Sequence, residues 1–246
     1  MGTGQRLIPS LKPGDKVVLA GPTGAPTDLP SGKTILVVAG RWGAAVMLDI
    51  GFALRSAGNK VIYLAAMGSK NDVDHMDELE EGADQIIWAV GKGDPIEARR
   101  PQDHSVVEWD VIKLINELDD QGIVDMSKVD RLMAMGSTGM LKGFQKELSE
   151  GGTLQPRFKD DVHVTGTIGS PMQCMMKGVC GQCLQWQIDP ATGERTKAVF
   201  TCSQQDQVLK NVDLDNLTAR TSQNRLPDII SSHWLSHVLE EKKKSE

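Results

Sequence analysis

Thr34-Ile35-Leu36-Val37-Val38-Ala39 runs directly into Gly40-Arg41-Trp42-Gly43. The first stretch has no polar alternation, so it predicts a strand buried on both faces, as in a parallel sheet. The glycine loop then leads into helical apolar spacing over 44–57, and Gly58-Asn59 closes that helix as a C-cap. Val61-Ile62-Tyr63-Leu64-Ala65 reads as the next buried strand. The acidic segment 72–81 reads as an exposed helix, and Gln85–Val90 as a strand. Residues 105–118 carry a helical pattern with Val106, Val107, Val111, Ile112, Leu114 and Ile115 on one face. Arg131–Met135 reads as a final strand, after which Gly136-Ser137-Thr138-Gly139 turns into a helix reaching Leu148. Strand and helix alternate throughout, which predicts an α/β fold with a doubly wound parallel sheet over the first 150 residues.

Upstream, Pro13-Gly14-Asp15 introduces a short expected strand, Lys16-Val17-Val18-Leu19-Ala20, followed by an irregular connector through Pro26. Downstream, Glu150-Gly151-Gly152-Thr153 reads as a linker, and β-like segments take over from 161. The pattern thins after Val208 until an amphipathic helix is predicted over 227–241, ending in the solvated run Glu240-Glu241-Lys242-Lys243-Lys244. The expected organisation is therefore 1–24, 25–155, 156–210 and 211–246.

Composition excludes several function classes. The 246 residues carry 27 Lys and Arg against 33 Asp and Glu, a formal charge of −6, with 4% aromatics. A general nucleic-acid binder needs a basic face and stacking platforms, so no nucleic-acid partner is expected. No apolar run approaches the roughly 18 residues of a membrane helix. The first residues lack the apolar core of a signal peptide, so no membrane insertion and a cytoplasmic location are expected.

All four cysteines lie in one stretch, Cys174-x5-Cys180-x2-Cys183-x18-Cys202. In a reducing compartment, clustered cysteines hold metal more often than they form disulfides. Glycines inside the loop allow backbone amides to turn towards inorganic sulfide. A similar three-plus-one spacing serves plant-type [2Fe–2S] clusters. Structural zinc is the competing reading, but zinc sites usually pair two C-x2-C knuckles and only one is present. Leu184-Gln185-Trp186-Gln187-Ile188, a turn at 189–195 and Ala198-Val199-Phe200-Thr201 predict a hairpin that returns Cys202 beside the loop.

The segments Met172-Gln173-Cys174, Gly178-Val179-Cys180-Gly181-Gln182-Cys183 and Val199-Phe200-Thr201-Cys202 resemble the iron–sulfur subunits of the ferredoxin–NADP reductase superfamily. The likeness is to the electron-transfer subunit of dihydroorotate dehydrogenase and the small subunit of NADH-dependent ferredoxin–NADP oxidoreductase. Upstream, Leu11-x-Pro13-Gly14-Asp15-x-Val17 and Gly21-Pro22-x-Gly24 resemble the end of that superfamily's flavin barrel. Met135-Gly136-Ser137-Thr138-Gly139-Met140 resembles its late GP-x-x-M turn. The likeness covers nearly the whole chain to about 210 and is most specific at the cysteines.

The resemblance implies a nucleotide-binding domain of ferredoxin reductase type, a small β-rich [2Fe–2S] module and a C-terminal helix. It implies Cys174, Cys180, Cys183 and Cys202 as cluster ligands, and NAD(P) at Gly40, Arg41, Gly43, Gly136 and Ser137. The family passes a hydride from NAD(P)H to FAD and single electrons onward. Three departures stand out. Most of the FAD barrel and its Arg-x-Tyr-Ser-type motif are missing, which implies either a partner chain bearing the flavin, within a complex of further subunits, or loss of the flavin. Trp42 interrupts the glycine run, where it is expected to crowd a pyrophosphate. Ser137 replaces a proline.

Two readings of the glycine loop stay open: a nucleotide site, or a tight strand-to-helix turn that binds nothing. Arg41 either pairs with a phosphate or faces solvent. The chain is accordingly read as an electron-transfer subunit of a flavin-linked NAD(P)H oxidoreductase. The alternative is a relay or assembly subunit whose nucleotide site is dead, with Trp42 filling it. His233 and His237 have metal-binding spacing but no third ligand nearby, which favours a structural role. Ile230, Trp234, Leu235, Val238 and Leu239 form a stripe for intramolecular packing or partner docking. Met175 and Met176 would shield the cluster from water.

Overall fold

The computed structural model describes residues 8–19, 24–169, 174, 179–223 and 225–245. Its centre is β1 (Thr34–Gly40), which pairs in parallel with β2 (Lys60–Met67) on one side and β5 (Arg131–Met135) on the other. β3 (Gln85–Val90) and β4 (His104–Val107) extend the sheet beyond β2. β6 (His163–Thr167) joins β5 in parallel, and β9 (Asp206–Val208) closes that edge antiparallel. The seven-stranded order is β4-β3-β2-β1-β5-β6-β9, so the fold is mixed α/β with a mostly parallel sheet.

Alternate residues of β1 feed opposite layers, which is why the strand reads as continuously apolar. Ile35, Val37 and Ala39 pack with Met47 and Leu54 of α1 (Arg41–Ser56), and with Leu79 of α2 (Met76–Gly82). Leu36 and Val38 pack with Leu114 and Leu118 of α3 (Val111–Asp120), and with Leu141 and Phe144 of α4 (Thr138–Glu147). Each of the larger of these side chains, taken fully from water, contributes about 1.5–3 kcal/mol, so two helical layers secure one sheet.

Carboxylates pin the N-terminal edge of this sheet. Asp84 accepts the Val61 amide at 2.7 Å, Asp103 the Ile86 amide at 2.8 Å, and Asp130 the Thr34 amide at 2.8 Å. Asp130 also takes the Lys159 ammonium at 2.6 Å, while its carbonyl accepts the His163 amide at 3.0 Å. One residue thereby aligns the starts of β1, β5 and β6. The Lys159 contact, followed by the Thr34 amide, holds the Asp130 carboxyl below its ordinary range. A depressed folded pKa adds stability above the unfolded value near ~3.9, and that stability is lost as pH falls through the lower folded value. Asp130→Asn is therefore expected to be less stable than the natural chain at pH 7, with the gap narrowing as pH falls below the unfolded value. Urea titrations across pH check this, since a gap independent of pH would exclude the charge as its cause.

Several elements depart from expectation. Helix α1 begins at Arg41, so Trp42 and Gly43 are helical rather than loop. Residues 72–81 divide into a 3-10 turn (Lys70–Asp72) and the short α2, whose Leu79 is buried rather than solvated. Val106 and Val107 belong to β4. The helix starts only at Val111, because the Asp110 carboxylate accepts the Ile112 and Lys113 amides as an N-cap. Residues 16–19 form no strand, and Val18 is 96% exposed. Among the described residues no neighbouring strand lies beside them, and an isolated strand does not hold its shape. Arg131–Met135 is not the last strand, since β6 and β9, from the segment expected to form the cluster module, join the same sheet.

The cysteine segment has its own hairpin, β7 (Leu184–Ile188) with β8 (Arg195–Phe200), as the turn at 189–195 predicts. It is followed by α5 (Leu214–Ser222), which sequence periodicity does not reveal, and by α6 (Arg225–Ser245), longer than expected at both ends. Among the described residues no helix is long and apolar enough to cross a membrane.

Candidate functional site

The chain runs outward from β1 through β2 and β3 to β4, then returns to β1's other side with β5. That reversal puts a topological switch point between β1 and β5, and open α/β sheets bind ligands outside the C-terminal strand ends at such a point. A cavity of about 1150 Å³ lies there. Gly40, Gly43, Gly136 and Ser137, all expected site residues, line it together with Trp42, Met135 and Met140. Arg41 supplies the first residue of α1.

The N-termini of α1 and α4 both open into this cavity. Gly40 caps α1 without any side-chain hydrogen bond, while the Ser137 hydroxyl accepts the Met140 amide at 3.2 Å. The first amides of a helix have no intrahelical acceptor, and with the helix dipole they make a ready anion site. The glycines also have packing duties. A Cβ at Gly40 would come 2.8 Å from the Ala66 carbonyl oxygen. One at Gly43 would overlap the Ala39 Cβ and lie 3.2 Å from the Met135 Cβ. Trp42 does not fill the cavity. It stands at the rim, 63% exposed.

The second constellation lies in the cysteine segment. The hairpin register sets Leu184 against Phe200, and the Thr201 amide donates to the Cys183 carbonyl at 3.0 Å. Cys183 and Cys202 are thus brought together and buried, with sulfurs 3.4 Å apart. Helix α5 holds this end in place, because the Arg220 guanidinium donates to the carbonyls of Leu184 and, at 2.7 Å, Gln182. Cys174 and Cys180 are half-buried, and the Val179 amide donates to Cys174 Sγ at 3.4 Å. Among the described residues the cysteines form no disulfide, and no three His, Cys, Asp or Glu side chains gather into a group able to hold a metal ion. Residues 175–178 lie outside the described residues, and with them the expected shielding by Met175 and Met176.

Two of the four expected ligands, Cys183 and Cys202, stand near the spacing of two thiolates on one metal. Two sulfurs on one tetrahedral metal, with bonds of about 2.3 Å, stand about 3.8 Å apart. The observed spacing is within a few tenths of that value. The amide donated to Cys174 Sγ is the kind of contact that offsets thiolate charge.

His233 and His237 lie exposed on α6, where Trp234 stacks obliquely on His237 with ring centroids 6.1 Å apart. Sequence reading missed Trp109 and Glu108, which line the cavity from the loop between β4 and α3. The signal was present: Asp110 followed by an apolar run is an N-cap, and it would have left 108–109 in a loop at the C-terminal strand end.

No family model matches the chain. Among curated proteins it is similar to the uncharacterized protein RP006 of Rickettsia prowazekii (strain Madrid E), 25% identical over 232 residues. That match takes in 94% of this chain but only 23% of the relative, so the chain spans under a quarter of the relative's length. Among solved structures it is similar to a chain of the NADH-dependent reduced ferredoxin-NADP oxidoreductase, described for flavin-based electron bifurcation. The TM-score is 0.69 at 22% identity, covering 94% of this chain and 73% of that one. The C-terminal domain of the PF1911 hydrogenase from Pyrococcus furiosus matches at TM-score 0.33 and 19% identity, over 50% of this chain and 87% of that domain. The chain thus shares the fold of that oxidoreductase chain over most of its length.

Proposed function

We propose that this chain is an electron-transfer subunit of a flavin-linked NAD(P)H oxidoreductase complex. In this reading Cys174, Cys180, Cys183 and Cys202 hold a [2Fe–2S] cluster, within a module spanning 156–210. NAD(P) lies in the switch-point cavity against Gly40, Arg41, Gly43, Gly136 and Ser137 of the 25–155 domain. A partner chain supplies FAD, residues 1–24 correspond to a flavin-barrel end, 211–246 is a docking segment and tail, and the complex works in the cytoplasm. A cluster of this type accepts and gives single electrons when bound. The chain's own residues do the positioning: α1 and α4 present unsatisfied amides to a pyrophosphate, Arg220 orders the carbonyls around Cys183, and the hairpin brings Cys202 to it. The observation carrying the proposal is that the expected glycines and Ser137 line one cavity at the switch point of a reductase-type sheet.

A second reading keeps the cluster and drops the nucleotide. The overlap that a Cβ would make at Gly43 explains that glycine by packing alone, so no ligand is needed to account for it. One experiment separates the two. Anaerobically purified chain is expected to be coloured, to carry about two irons, and to bind NADH or NADPH measurably. Colour and iron with silence at millimolar nucleotide would establish the relay, whereas colourless protein with zinc would overturn both.

A further inference from the structure

A second cavity, of about 420 Å³, opens where β5 and β6 begin and shares no lining residue with the switch-point cavity. Parallel register sets Arg131, the first residue of β5, against His163, the first of β6, and both line it. The segment that precedes β1 forms a wall. It is tied down where the Gln205 side-chain amide donates to the Ala25 carbonyl at 3.3 Å and the Thr27 hydroxyl to the Asp206 carboxylate at 2.8 Å. Gln187 of β7 and Lys197 of β8 reach the cavity from the cysteine hairpin.

Donors in this lining outnumber the acceptors left to them. Arg131 is only 5% exposed. Its Nη1 donates to the Asp28 carboxylate at 2.9 Å and the Asp28 carbonyl at 3.3 Å, but its Nε has no partner among the described residues. The Asp28 carboxylate is itself 81% exposed, so water screens the one charge that faces this buried cation. Gln207, 3% exposed, repeats the pattern: its Oε1 accepts the Gln187 amide at 3.1 Å, while its Nε2 has no acceptor. A buried donor without an acceptor is costly, and more so on a charged group. The other lining carboxylate, Asp206, already accepts the hydroxyls of Thr27 and, at 2.6 Å, Thr167. What the cavity lacks is an acceptor.

We infer that this cavity is a binding site for a small hydroxylated organic carboxylate, apart from any nucleotide or cluster. With Nη1 taken by Asp28, the Nε edge of the guanidinium remains, and that planar fork matches a carboxylate. Gln207 supplies the second donor. The cations Arg131 and Lys197 balance Asp28 and Asp206, so the lining does not gather a multiply charged anion such as phosphate. Thr165 and Asn211 add hydrogen-bonding groups suited to hydroxyls, and the volume lies within the range of small-molecule sites.

Calorimetric titration and thermal melting of the full chain, with glycerate, acetate, inorganic phosphate and glycerol as probes, decide the matter. Glycerate is expected to bind saturably at millimolar concentration and to raise the melting temperature, with acetate and phosphate weaker and glycerol, which lacks the carboxylate, silent. Arg131→Lys keeps a charge beside Asp28 but loses the fork, and is expected to weaken glycerate by about tenfold. Arg131→Met is expected to abolish glycerate binding without lowering the melting temperature of the ligand-free chain, because Asp28 stays solvated; a merely structural arginine would lower it. Gln207→Met, which leaves Arg131 and its Asp28 contact in place, is expected to weaken glycerate by about fivefold. Phosphate binding more tightly than glycerate overturns the inference, as does glycerate binding that ignores both Arg131→Lys and Gln207→Met. Absence of any saturable response to glycerate and acetate also overturns it, and leaves ordered water as the acceptor.

Discussion

On the proposed cluster reading, Cys183→Ser is expected to lose iron and to loosen residues 170–205. Cys183 and Cys202 are the two sulfurs that the fold itself brings together, 3.4 Å apart and buried. Serine supplies an alkoxide-poor hydroxyl where a soft metal needs a thiolate, so the site loses a ligand it cannot replace from solvent. In metal-free protein the same substitution is expected to cost only about 1–3 kcal/mol, the penalty for a buried hydroxyl without a full partner. The contrast is the diagnostic. Iron content, visible absorption and amide exchange over the hairpin, measured on loaded and stripped protein, read it directly. Unchanged iron would remove Cys183 from the ligand set.

Gly43→Ala is the second large effect, and its sign is unusual. Alanine in place of glycine within a helix ordinarily stabilises by up to about 1 kcal/mol. Here the new methyl would overlap the Ala39 Cβ and press on Met135, across the seam where α1 packs on β1 and β5. Overpacking of this kind costs about 1–3 kcal/mol, more than the propensity gain, so a net loss of stability is expected in urea titrations. Relief requires α1 to move off the sheet, which carries its N-terminal amides away from the cavity. Nucleotide affinity should fall with stability. A stabilised variant would show that the seam is loose and that Gly43 is retained for something other than packing.

The apolar run at β1 and the segments at β2, β3 and β5 were legible because a strand buried on both faces has to be apolar throughout. The hairpin around the cysteines was legible from its turn chemistry. The error at residues 105–118 has a definite cause. Val106 and Val107 share a spacing with Val111 and Ile112 that fits a helix, and only the Asp110 cap, a hydrogen-bonding choice, breaks it. Helix α5 was hidden because just two of its residues, Leu214 and Leu217, are buried, too few to write a periodic stripe. On α6, Leu235 turns inward while Ile230 and Trp234 stay exposed, so the expected stripe is only partly used within this chain.

What the linear order of residues determined alone was the alternation of strands and helices, the clustering of the four cysteines and the glycines at two strand ends, because each depends on near neighbours. Tertiary structure decided which strand ends meet. Gly40 and Gly136 lie 96 positions apart in the chain, and only the parallel pairing of β1 with β5 puts them on one cavity. Trp109 reaches that cavity from the other side through β3 and β4, and Asp130 gathers the starts of three strands. Such meetings are set by sheet order, which depends on how whole layers cover one another and leaves no mark in any short window of residues.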